Sequence, residues 1–166
     1  MPDTYPSQPL PDSVDLSVDL AQLEDPLAAV TAADLTSRFV RLVMCSTEPL
    51  VTKLAGQEVM LRLPGGIDLS KRVFAQHLYR RIDADVFGML RACVPLTHAA
   101  DALWLIECLL REQFADVVGT AASYLLSDDR DTAIQMATVA TTMAAREVRS
   151  GVADIIIRTR ESDVAD

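Results

Sequence analysis

Proline placement sets the strongest limit on how this chain can fold. Five of its eight prolines, Pro2, Pro6, Pro9, Pro11 and Pro26, fall in the first 26 residues. Each removes a backbone donor and pushes the preceding residue away from helix. The first 37 residues also carry seven acids (Asp3, Asp12, Asp15, Asp19, Glu24, Asp25 and Asp34) and no Lys or Arg. Such a stretch repels itself, so residues 1–30 are expected to form a flexible, acidic, Pro-rich arm. The other prolines, Pro49, Pro64 and Pro95, divide the rest into segments with helical spacing.

A helix is predicted from Thr31, which can cap it. Leu35, Phe39, Leu42 and Val43 supply its apolar face, and Pro49 ends it. Two short apolar runs follow, Leu50 to Leu54 and Val59 to Leu63, separated by Gly56. They read as a short β-hairpin over 50–63. Pro64-Gly65-Gly66 is a break. The next helix, capped by Asp68 or Ser70, runs to about Cys93. Its apolar face is Phe74, His77, Leu78, Ile82, Val86, Phe87 and Leu90, and Lys71, Arg72, Arg80, Arg81 and Arg91 make it the most basic part of the chain.

Val94-Pro95-Leu96 separates it from a helix capped by Thr97 and carrying Leu103, the single tryptophan Trp104, Ile106, Leu110, Phe114 and Val117. Gly119 either ends this helix or sits within it. Ser127-Asp128-Asp129 caps the last long element. Ser150-Gly151 looks like a stop, with 152–158 free to continue as helix or to form a β-branched strand. The fold class is therefore mostly α: a helical domain over 31–126 with the hairpin, then a long C-terminal helix and frayed tail over 127–166.

Half the residues are hydrophobic but only 5% are aromatic, so the core must be built from Leu, Val, Ile, Ala and Met. The formal net charge of −9 opposes nucleic acid, whose proteins neutralise phosphates with Lys and Arg, and opposes an anionic membrane surface. Met1 leads into prolines and acids, which does not read as a secretory leader. The uncharged stretch 132–145 is too short to span a bilayer. Cys45, Cys93 and Cys108 are odd in number, far apart and set among apolar residues, which reads as buried thiols.

The sequence offers little chemistry. His77 lies on the apolar side of its helix and reads as an interior histidine. His98 has Asp101 three residues on, a spacing that lets a carboxylate orient an imidazole, but no nucleophile is near it in sequence. No metal or phosphate-loop motif is present, and Ser123 and Ser127 lack a glycine elbow. No catalytic residue, cofactor or metal is assigned, and the chain reads as a non-catalytic protein.

The final helix points elsewhere. Ala133, Ala137, Ala140, Ala144 and Ala145 allow close helix approach, whereas Thr138, Thr141 and Thr142 weaken its intrinsic propensity. Such a helix must be held by neighbours, either in this chain or in a ring or filament of copies. Two segments resemble the type III secretion inner-rod family and its NolB-like nodulation members. One is Ala33 to Met44, with Arg38-Phe39-Val40-Arg41-Leu42-Val43-Met44; the other is Gln135 to Arg158, with Met143, Arg149-Ser150-Gly151-Val152 and Ile155-Ile156-Ile157.

The resemblance implies a bacterial protein, made in the cytoplasm and exported into a secretion apparatus, assembling with other proteins or with itself. Its assembly contacts would be Gln135, Met136, Val139, Met143, Val148, Gly151, Val152, Ile155 and Ile156, on one helix running through Gly151. The alternatives are a cytosolic assembly chaperone or adaptor of the phage-tail type, and a small enzyme using His98 and Asp101.

Overall fold

The computed structural model describes residues 25–76, 94 and 96–165. The acidic arm up to residue 24, and the 77–93 stretch with His77, Cys93, Arg80, Arg81 and Arg91, lie outside the described residues. Helix accounts for 92% of what is described, and no strand occurs there.

Five helices are present among the described residues. They are α1 (Pro26–Ala55), the single turn α2 (Glu58–Leu61), α3 over 66–76, α4 (Leu96–Ser127) and α5 (Arg130–Ala165). At a rise of about 1.5 Å per residue, α1, α4 and α5 are rods roughly 45–54 Å long. α5 packs along both α1 and α4, which touch each other only lightly.

Polar contacts fix the directions. Asp25, before α1, pairs with Arg160 near the end of α5. At the other end of the bundle Arg130 donates to Thr52 Oγ1 at 2.6 Å and lies 3.7 Å from Glu48. α1 and α5 are thus antiparallel. The tight turn at 128–129 makes α4 and α5 antiparallel too, so α1 and α4 run the same way.

α1 starts five residues before the predicted Thr31. Asp25 is its cap, with Oδ1 accepting from the Ala28 N–H at 3.2 Å, and Pro26 occupies the first helical position. A proline there loses nothing, because that N–H has no helical partner anyway. Thr31 is buried inside the helix instead.

The predicted hairpin over 50–63 does not form. α1 runs through Pro49 to Ala55, and Val59 to Leu61 lie in the α2 turn. Pro49 deprives only the Cys45 carbonyl of its donor, and both residues are exposed, so water can take over that bond. The gain that overrides proline's local penalty is burial: Leu50, Val51 and Leu54 are at most 4% exposed. Their spacing (i, i+1, i+4) suits one helical face better than the alternating faces of a strand.

The break at 64–66 is real. Gly65 has φ +77°, and a Cβ at Gly66 would sit 1.9 Å from the Met60 carbonyl oxygen. α3 begins at 66, so Asp68 and Ser70 lie inside it rather than capping it. α4 begins at Leu96, ahead of the proposed Thr97 cap, and continues through Gly119 to Ser127. Gly119 lies beneath the Lys71 side chain of α3, whose Cδ would be 3.3 Å from an added Cβ.

Asp129 caps α5, its Oδ1 accepting from the Thr132 N–H at 2.7 Å. This bond to its charged form, with a further one from the Thr132 side chain, holds the Asp129 carboxyl below its ordinary value of 3.8. Gly151 is no stop, and 152–158 is not a strand: α5 continues to Ala165, through most of the expected frayed tail.

One core unites the three rods. Phe39, Val43, Val51, Leu54, Ile106, Val117, Val118, Val148, Val152 and Ile156 are its largest fully buried members, and Ala28, Ala32, Ala102, Ala121, Ala133 and Ala137 fill the narrow spaces between rods. Thr141 is also fully buried. Its hydroxyl is satisfied by donating to the Ala137 carbonyl at 2.8 Å, as Thr138 and Thr142 donate to Ile134 and Thr138.

Candidate functional site

The nine residues proposed as assembly contacts fall into two groups on α5. Val148, Val152 and Ile156 are fully buried in this chain's own core. They are spent internally and are not free to meet another chain. Ile155 is half-buried against the same core, and Gly151 lies against Leu109 of α4. A Cβ at position 151 would come within 2.5 Å of Leu109 Cδ2, so the glycine serves close approach of α5 to α4.

The outward group is Gln135, Val139 and Met143, with Met136 half-buried beside it. Val139 is 49% and Met143 65% exposed. Spacings of four residues place Gln135, Val139 and Met143 along one side of the helix, away from the buried Ala133, Ala137, Thr141 and Ala144. In the Ala33 to Met44 segment, Leu35, Phe39 and Val43 are buried, whereas Met44 is exposed.

The sequence's other candidates are separated by exposure. His98 is half-buried and Asp101 exposed, both in the first two turns of α4. The expectation of buried thiols is corrected for two cysteines: Cys45 is exposed and Cys108 half-buried. Cys45 follows Met44 on the side of α1 turned from the core, where its apolar sequence neighbours Val43 and Leu42 do not accompany it. No group of three or more His, Cys, Asp or Glu among the described residues could hold a metal ion. No helix among them is long and apolar enough to cross a membrane.

Two features escaped sequence reasoning. Glu107 is buried, only 6% exposed, although it sits beside Ile106 in a helix of ordinary amphipathic pattern. The single tryptophan, Trp104, to which the sequence reading assigned no side of the helix, is 62% exposed, and its neighbour Leu105 is 44% exposed. The signal was present in the positions themselves. Ala99, Ala102, Ile106 and Leu110 already complete an inward face at spacings of three and four, and Trp104 and Leu105 fall opposite it.

Comparison with family models, with curated proteins and with solved structures gives no match for this chain.

Proposed function

We propose that this chain is a non-catalytic structural or assembly component that acts by helix–helix packing with other protein, and that it serves a bacterial type III secretion apparatus. The observation that carries the reading is α5: one helix from Arg130 to Ala165, unbroken at Gly151, with Val139 and Met143 turned outward. Soluble helices ordinarily cover large apolar side chains, and exposed ones at helical spacing suit a partner helix. The fit to the secretion family rests on the resemblance of 33–44 and 135–158. It entails a cytoplasmic stage followed by export.

Sedimentation velocity over a wide range of protein concentration tests the packing role. Association should rise with concentration and be lost in Val139→Asp/Met143→Asp, whose exposed positions leave the fold intact by circular dichroism. A chain that stays monomeric throughout, and that binds no protein, refutes the reading. Appearance of tagged protein in the medium only when the export machinery is functional tests the secretion role.

A second reading, a cytosolic assembly chaperone or adaptor, draws on a different observation. Val148, Val152 and Ile156 are consumed within the bundle, which favours a folded unit binding one partner over a rod polymerised through its whole C-terminal helix. It calls for a stoichiometric complex with another protein that is absent from the finished assembly.

A further inference from the structure

The outer face of α4 has a composition of its own. Asp101, Trp104, Leu105, Cys108 and Glu112 stand at i, i+3, i+4, i+7 and i+11, so they share one side of the helix, with Asp116 continuing it a turn further on. Asp101, Glu112 and Asp116 are exposed, Cys108 is half-buried, and Trp104 and Leu105 are 62% and 44% exposed. α4 carries four acids, Asp101, Glu107, Glu112 and Asp116, against one Lys or Arg, Arg111, which is already engaged. The face is thus an aromatic and aliphatic centre edged by exposed carboxylates.

From this charge and shape we propose that the α4 face around Trp104 docks a basic amphipathic helix of a protein partner. Trp104 and Leu105 would enter the partner's apolar stripe, and Asp101, Glu112 and Asp116 would meet its Lys or Arg flanks. Exposed tryptophan is the residue type that most often dominates such contacts. A second copy meeting it through the same face is a poorer occupant, because two acidic α4 faces repel. The inference rests on the proposed packing role and names the chemistry of the partner.

Trp104 is the only tryptophan in the chain, so its emission reports on this face alone. The probe is a synthetic helix with Leu on one side and Lys on the other. It is compared with a scrambled peptide of the same composition and with a Leu/Glu analogue. The Leu/Lys peptide should shift Trp104 emission to the blue and bind at least about tenfold more tightly than either control. Labelled-peptide anisotropy should show about tenfold or greater weakening in Trp104→Ala and near-retention in Trp104→Phe. Asp101→Asn/Glu112→Gln should weaken binding several-fold and flatten its salt dependence, whereas Glu147→Gln on α5 should change neither.

Unchanged emission, or equal binding of the scrambled peptide, overturns the proposal. So does emission already blue-shifted in dilute protein, which would mean that the chain covers Trp104 itself, and so does a shift on raising protein concentration alone, which would mean a second copy. Loss of peptide binding with the Val139/Met143 association intact removes this inference and leaves the packing role standing.

Discussion

Replacing Gly151 tests the close approach of α5 to α4 and gives an effect whose sign depends on a second residue. In an isolated helix, Gly→Ala would stabilise by about 1 kcal/mol, because glycine loses more backbone freedom on ordering. Here the new methyl would lie 2.5 Å from Leu109 Cδ2, 3.3 Å from Cδ1 and 3.5 Å from Cγ. The Leu109 side chain must turn or α4 and α5 must separate, and overpacking of this kind costs about 1–3 kcal/mol. Gly151→Ala alone should therefore be neutral to destabilising, by about 0–2 kcal/mol. In a Leu109→Ala background the obstacle is gone, and the same substitution should stabilise by about 1 kcal/mol. Urea unfolding of the four proteins gives the coupling, expected at about 1–3 kcal/mol. If Gly151→Ala stabilises equally in both backgrounds, α5 does not approach α4 at this point, and the reasoning that makes Gly151 a packing residue fails.

Other perturbations test the remaining joints. Pro49→Ala should stabilise by about 1–3 kcal/mol, since it restores a donor for the exposed Cys45 carbonyl in the middle of α1; a loss of stability in urea would contradict an unbroken helix there. Asp25→Ala removes both the α1 cap and the pairing with Arg160, at a cost of about 1–3 kcal/mol, whereas Asp25→Ser should recover the capping part only, as read from unfolding midpoints. Asp129 makes a pH-dependent contribution. Because its folded value lies below 3.8, the stabilisation is fully present above that value and is lost as pH falls through the lowered folded value. The stability difference between wild type and Asp129→Asn should therefore shrink as pH falls below the ordinary carboxylate value; a difference that does not change with pH would exclude this role for the carboxylate.

Helical class and the inward faces were legible because burial repeats every three or four residues. Leu35, Phe39 and Val43, and then Ile106, Leu110 and Phe114, read the same way in sequence and in the core. The errors share one cause: local punctuation was given more force than tertiary burial. Pro49 and Gly151 read as stops from local rules. Each instead lies where its defect is harmless or useful, Pro49 on the wet side of α1 and Gly151 at a helix crossing. Leu50 to Leu63 read as a hairpin because Gly56 separates two apolar runs. Only the i, i+1, i+4 spacing of Leu50, Val51 and Leu54 indicates that they extend the stripe begun by Phe39 and Val43, and the proline and glycine around it outweigh that signal locally. Exposure of Trp104 was harder to read, because an apolar residue in a helix pattern carries no mark of the side it occupies until the inward set is complete.

The division of α5 bears on how the chain can work. A helix that polymerised through all of its apolar residues would need them free, yet Val148, Val152 and Ile156 fill the centre of the bundle. Replacing Ile156 by Ala should cost about 2–5 kcal/mol of folding stability, far more than removing a rim contact between chains. Met143→Ala, at 65% exposure, should leave folding stability within about 0.5 kcal/mol while weakening association. The two substitutions thus separate holding the rods together from presenting them to a partner. If Met143→Ala destabilises the monomer as Ile156→Ala does, the outward stripe is part of the core, and α5 has no surface to offer.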